Sequence, residues 1–199
     1  MRTLLLLPLL FVATPVFATE IKCEGPYGAD SSEARLIETF GAENVVTGDV
    51  PGPEGTTLLA TTIFPNDEAT RQEFGWWNEE AREQLAYVTV PEGATTPGGL
   101  ALGMTVKEVE ALNGGPFELY GFFWDYGGTA VTSGGKFENL PGGCTVSFRF
   151  GVGDYPADLN VDAISGDMLI SSSEPLLEKV DARIQSLTIG YPDPNATED

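Results

Sequence analysis

The sequence predicts an α+β fold, an antiparallel sheet with two or three short helices packed on one face. Three observations carry this prediction. Short runs alternate apolar and polar residues with a period of two, most clearly at 85–90 and 144–150. Two short amphipathic stretches open on a capping residue with Glu following, at 30–33 and 105–108. Between these runs the 24 Gly and 14 Pro fall in clusters that punctuate the chain as turns.

Taken in order, residues 1–18 read as a cleaved signal peptide: Arg2, an apolar run over 4–16, then Val16-Phe17-Ala18 as the cleavage site. The run is too short, and too interrupted by Pro8 and Pro15, to span a bilayer. Glu20, Ile21 and Lys22 before Cys23 are not the small and aliphatic residues that lipoprotein processing requires. The expected product is an exported protein, periplasmic or secreted, with 181 residues and no transmembrane segment after cleavage. Its two cysteines, Cys23 and Cys144, predict one disulfide tying the mature N-terminus to a late strand. In the chain-entropy model so long a loop contributes about 5 kcal/mol, less any strain.

An N-terminal half is expected over 19–92. Asp30 reads as an N-cap with Glu33 three residues on; Leu36, Ile37 and Phe40 share a helical face and Gly41 stops it. Strands follow at 44–49, 57–64, 71–77 and 85–90, with Phe74 and Trp76 on one side and Trp77 on the other. Residues 91–99 (PEGATTPGG) form the best internal linker. A C-terminal half is expected over 98–191, followed by a tail at 192–199. It opens with a capping box at Thr105 and Glu108, Met104 and Val109 forming a hydrophobic staple and Val106, Val109 and Leu112 an apolar stripe. Asn113-Gly114-Gly115-Pro116 ends that helix. A strand over 117–124 then alternates Phe117, Leu119, Gly121 and Phe123 against Glu118, Tyr120, Phe122 and Trp124, and Gly127-Gly128 turns the chain back. Cys144, Val146, Phe148 and Phe150 share one face of a later strand; residues 151–166 form an acidic loop, 173–180 a short helix and 184–189 a last strand. Each half runs capped helix, Gly, then strands, which suggests two tandem helix-plus-hairpin modules.

The segment Gly103-Met104-Thr105, Glu108-Val109, Leu112 and Gly114-Gly115-Pro116 resembles the opening of the small helix-then-hairpin modules of SmpA/OmlA-type envelope assembly lipoproteins and β-lactamase-inhibitor-protein-like domains. With Gly121-Phe122-Phe123-Trp124-Asp125-Tyr126-Gly127-Gly128 and Gly143-Cys144, the stretch 98–150 is similar to a family of exported bacterial proteins without an assigned activity. The resemblance implies a binding or scaffolding role and assigns no catalytic residue. The lipoprotein signal and a second cysteine pair are both absent from this sequence.

Thirty Asp and Glu against ten Lys and Arg, a net charge of −20, argue against nucleic acid and anionic membrane surfaces as partners. With no histidine, Ser-His-Asp and Cys-His nucleophilic sites and histidine metal sites are excluded. No phosphate-binding glycine motif or Gly-x-Ser-x-Gly elbow occurs. Asp158, Asn160 and Asp162 alternate like the ligands of a calcium loop, but Ala163 and Leu169 replace the Gly and Glu of an EF-hand. No other cofactor is expected. The best binding candidates are Tyr120, Phe122, Trp124 and Tyr126, with Asp125 either orienting a ligand or accepting backbone N–H bonds in the Gly127-Gly128 turn. These rings either pack as core or present a face to an envelope protein or glycan. The functional expectation is a non-catalytic binding or interaction protein. The alternatives are a carboxylate-dependent enzyme acting on envelope glycans and a structural envelope component.

Overall fold

The computed structural model describes residues 19–52, 55–138 and 140–196; the signal-peptide reading of 1–18 lies outside them. In chain order the elements are β1 (Thr19–Glu20), α1 (Glu33–Phe40), β2 (Val45–Pro51), β3 (Thr57–Ile63), β4 (Gln72–Asn78), β5 (Glu83–Thr89), β6 (Ala94–Thr95), α2 (Val106–Asn113), β7 (Glu118–Tyr120), β8 (Ala130–Val131), β9 (Thr145–Gly151), β10 (Leu169–Ser171), α3 (Leu176–Lys179) and β11 (Arg183–Gly190). The fold is α+β, with an antiparallel six-stranded sheet ordered β2-β3-β4-β5-β11-β9.

The cross-strand register explains why this sheet has a wet face and a dry one. Thr61 lies opposite Phe74, Phe74 opposite Val88, Val88 opposite Ile189 and Ile189 opposite Val146. All five are buried. One residue along, Thr62 faces Glu73, and Thr188 faces both Thr89 and Ser147, which makes a polar row across the other face. Antiparallel sheets tolerate water on one side in this way, because alternate residues point to opposite faces. Leu36 of α1, Val106 and Val109 of α2 and Leu177 of α3 all join Phe74, Phe148 and Phe150 in a single core cluster.

Strands β2 to β5 form a consecutive meander, but β11 inserts between β5 and β9. The two halves of the chain therefore share one sheet, joined by the β5–β11 ladder. Residues 91–99, read as a linker, are folded in: Ala94 and Thr96 are buried, and β6 pairs in parallel with β1. The Cys23–Cys144 disulfide is formed, with 6.0 Å between Cα atoms, and ties the segment after β1 to the start of β9. Among the described residues no helix is long and apolar enough to cross a membrane.

Helix α2 follows its sequence reading closely. The Thr105 hydroxyl accepts the Glu108 N–H, the Glu108 carboxylate accepts the Thr105 N–H, and Gly114 ends the helix at φ 84°. Helix α1 requires a correction. Its N-cap is Ser32, whose hydroxyl accepts the Arg35 N–H at 3.3 Å. Asp30 binds the Arg35 guanidinium through both carboxylate oxygens instead, at 3.0 and 3.1 Å. The helix start is set by an isolated bridge between Ser32 and Glu83, which fixes residue 32 against β5 in extended geometry. Ile37, expected on the buried face, is exposed, because α1 meets the sheet along a narrow line through Leu36.

Glu33, which the sequence assigned to a capping box, has a different role. Its Oε2 accepts the hydroxyls of Thr47 at 2.5 Å and Thr61 at 3.3 Å and sits 2.5 Å from Arg82 Nε. The Arg82 N–H is not aimed along that contact, so the pair is a charge contact rather than a hydrogen bond. Trp76 Nε1 donates to the same Thr61 hydroxyl at 3.0 Å. This network fastens α1 across β2, β3 and β4.

Candidate functional site

The candidate site is the chain from Tyr120 to Tyr126 together with the facing edge of β10. The expected strand over 117–124 is shorter than predicted: β7 ends at Tyr120. At Gly121 the chain passes close to the Gly166 carbonyl, which lies 2.6 Å from where a Cβ would stand, so only glycine fits there. The Gly121 N–H donates to Met168 O and the Phe122 N–H to Ile164 O. Phe123 then adopts φ +68°, a conformation that bulky L-residues rarely take. This inverts the predicted alternation, so Phe122 is core and Phe123 is exposed. Phe122 is thereby removed from the candidate binding residues.

The remaining rings form a chain. Tyr120 and Trp124 meet edge-to-face with centroids 5.7 Å apart, and Trp124 and Tyr126 do so at 5.4 Å. Tyr120 and Trp124 are half-buried, whereas Tyr126 and Phe123 are each 56% exposed. Register extends the surface. Leu119 and Ile170 face each other and are buried, so the next pair, Tyr120 and Leu169, points to the opposite side. Leu169 and the adjacent Met168 are each 46% exposed, and sequence reading found neither, since three-residue β10 carries too little alternation to be recognised.

The loop that carries these rings is closed and anchored. The Gly128 N–H donates to Tyr120 O and the Tyr120 N–H to Thr129 O. Phe150 of β9 donates to Gly128 O, and Arg149 Nε donates to Gly127 O at 2.5 Å. Gly128 sits at φ +79° with Phe150 O only 2.0 Å from where a Cβ would stand, so the glycine is needed for both conformation and space. The Gly127 amide bonds Trp124 O rather than the Asp125 carboxylate, which corrects the turn role expected of Asp125. Asp125 is exposed and enters no ion pair among the described residues. Trp124 Nε1 is committed to Gly121 O at 2.7 Å.

Two of the concavities among the described residues lie away from this surface. The larger, about 610 Å³, is an open groove on the polar sheet face lined by Glu73, Thr89, Ser186 and Thr188. The second, about 400 Å³, lies between α2 and α3. Their polar groups largely satisfy one another: Glu73 pairs with Arg71, Lys107 with Glu178, and Glu110 accepts from Ser172 and Ser173. We therefore take the aromatic surface, which lies outside both hollows, as the candidate site. In the acidic loop, Asn160 and Asp162 bond each other, Nδ2 to Oδ2 at 3.2 Å, and Asp162 begins a short 3₁₀ turn ending in buried Ile164. Among the described residues no three acidic, cysteine or histidine side chains converge on one point as a metal would need.

Comparison with protein-family models, curated proteins and solved structures returned no match.

Proposed function

We propose that this chain is an exported, periplasmic or secreted, binding protein without catalytic activity, and that it engages its partner through the outer face of β7 and β10. The observation that carries this reading is the Tyr120–Trp124–Tyr126 ring chain, continued across the β7–β10 register by exposed Leu169 opposite Tyr120. Tyr and Trp combine large contact area with few rotatable bonds, which makes them common interface anchors. A contiguous exposed apolar surface is unusual on a soluble domain and commonly marks an interaction site. The disulfide supports an oxidising compartment. The resemblance of 103–116 to helix-then-hairpin binding modules supports the same role, and α2 here leads directly into the β7–β8 pair.

The test is affinity capture from an envelope extract with the mature protein as bait and Trp124→Ala/Tyr126→Ala as control. Circular dichroism first establishes that the control folds. A partner held by the wild type and lost by the folded control is expected. Equal capture by both baits would remove the aromatic face as the site.

A further inference from the structure

We infer that the occupant of the aromatic face is a basic segment of another protein, with Arg or Lys set among apolar residues. The inference rests on the reading of the β7–β10 face as a binding surface and adds the chemistry of the partner. Charge points the same way at two scales. The whole chain carries −20, and the segments that build the surface, 117–131 and 165–171, contain Glu118, Asp125 and Asp167 but no Lys or Arg. Glu118 lies two residues from Tyr120 on the same side of β7, so a carboxylate shares the face of that ring. The one guanidinium that β9 brings to this loop, Arg149, spends its Nε on the Gly127 carbonyl.

The rings also have the right chemistry. With its N–H bonded to Gly121 O, Trp124 has no donor left for a partner and meets one only as an aromatic ring. The face of an aromatic ring is electron-rich and attracts guanidinium and ammonium groups. Phe123 is held outward in a strained backbone conformation, and such outliers cluster at binding sites because the surrounding structure must over-determine them. Leu169, opposite Tyr120, supplies aliphatic surface for the methylene stems of Arg or Lys, which bury readily beside a solvated head group. Acidic partners, a second copy of this chain included, meet like charge here and are disfavoured.

The test uses fluorescent peptides and the mature, disulfide-bonded protein, read by anisotropy at low salt and at about 0.15 M salt. The probes are alternating Arg-Leu, Glu-Leu and Gly-Ser octapeptides, with chito-oligosaccharide as competitor. The Arg-Leu peptide should bind, more tightly at low salt, and weaken about tenfold or more with Trp124→Ala/Tyr126→Ala. Glu118→Gln/Asp125→Asn should weaken it severalfold and flatten its salt dependence. Arg-Leu binding that is equal in the aromatic variant would show diffuse attraction to an acidic protein and overturn the assignment. Ring-dependent binding of the Glu-Leu peptide, or displacement by the oligosaccharide, would overturn the basic partner while leaving the surface itself standing. No ring-dependent binding by any probe would overturn the basic partner, and together with equal capture in the extract experiment it would overturn both.

Discussion

Replacing Glu33 with alanine removes the acceptor that joins α1 to β2 and β3. Its carboxylate receives two hydroxyl hydrogen bonds, from Thr47 and Thr61, and faces Arg82 Nε, which is buried with no hydrogen-bond acceptor among the described residues. Hydrogen bonds to a charged group are worth about 1.5–3 kcal/mol when one partner is deleted. Two features reduce the loss. The Thr47 and Thr61 hydroxyls lie 2.8 Å apart, so once the carboxylate is gone one can turn its proton to the other, and the Arg82 side chain is 40% exposed, so water screens the charge contact. We expect Glu33→Ala to cost about 2 kcal/mol, a large share of a total stability of about 5–15 kcal/mol. Glu33→Gln, which keeps the shape and an acceptor oxygen, should cost about 1 kcal/mol. A double-mutant cycle with Arg82→Ala should return a coupling below about 1 kcal/mol, the value of a partly exposed pair. Urea unfolding followed by tryptophan fluorescence is the assay, because Trp76 donates to Thr61 inside this network. The midpoint should fall while the slope stays constant. A Glu33→Ala variant within about 0.5 kcal/mol of the wild type would refute the reasoning, since water would then replace the carboxylate without loss.

Two further outcomes follow from the same structure. The disulfide closes a loop with a sequence separation of 121, for which chain entropy gives about 5 kcal/mol. Cys23→Ala/Cys144→Ala should therefore lose most of that in urea unfolding, and a loss under about 1 kcal/mol would reject the loop-closure account. On the acid side, the Thr105 N–H and hydroxyl hold the Glu108 carboxyl below its ordinary range, and Arg35 does the same for Asp30. A carboxyl lowered on folding stabilises above its unfolded pKa, and that stability is lost as pH falls through the folded value. Glu108→Gln should thus be less stable than the wild type at neutral pH, with the gap closing below about pH 4. An unchanged gap at about pH 3 would show that the capping carboxylate is not the titrating element.

Much of the fold was legible because its signals are local. The capping box at Thr105 and Glu108 is an exchange between residues three apart, and it formed as read. The inward parity of Cys144, Val146, Phe148 and Phe150 follows from a period of two, and all four are buried. The site was legible only in part. Tyr120, Trp124 and Tyr126 were recognised by residue type, but Phe122 was placed with them on a strand parity that ends at Gly121. Past Gly121 the backbone bonds residues 164 to 168 instead of continuing the strand, and nothing within 117–124 announces it.

By itself the sequence determined the class of fold, the cysteine pairing, the helix starting at Val106 and the parity of the long strands. In each case the deciding contact is near in the chain or, for the cysteines, only one pairing exists. The tertiary structure alone decided the insertion of β11 between β5 and β9, the burial of Phe122 beside an outward Phe123, and the joining of Leu169 to Tyr120. Each depends on which distant segment supplies the next row of backbone hydrogen bonds. Strand alternation states which side of a strand is apolar, but it carries no information on which neighbour that strand will choose.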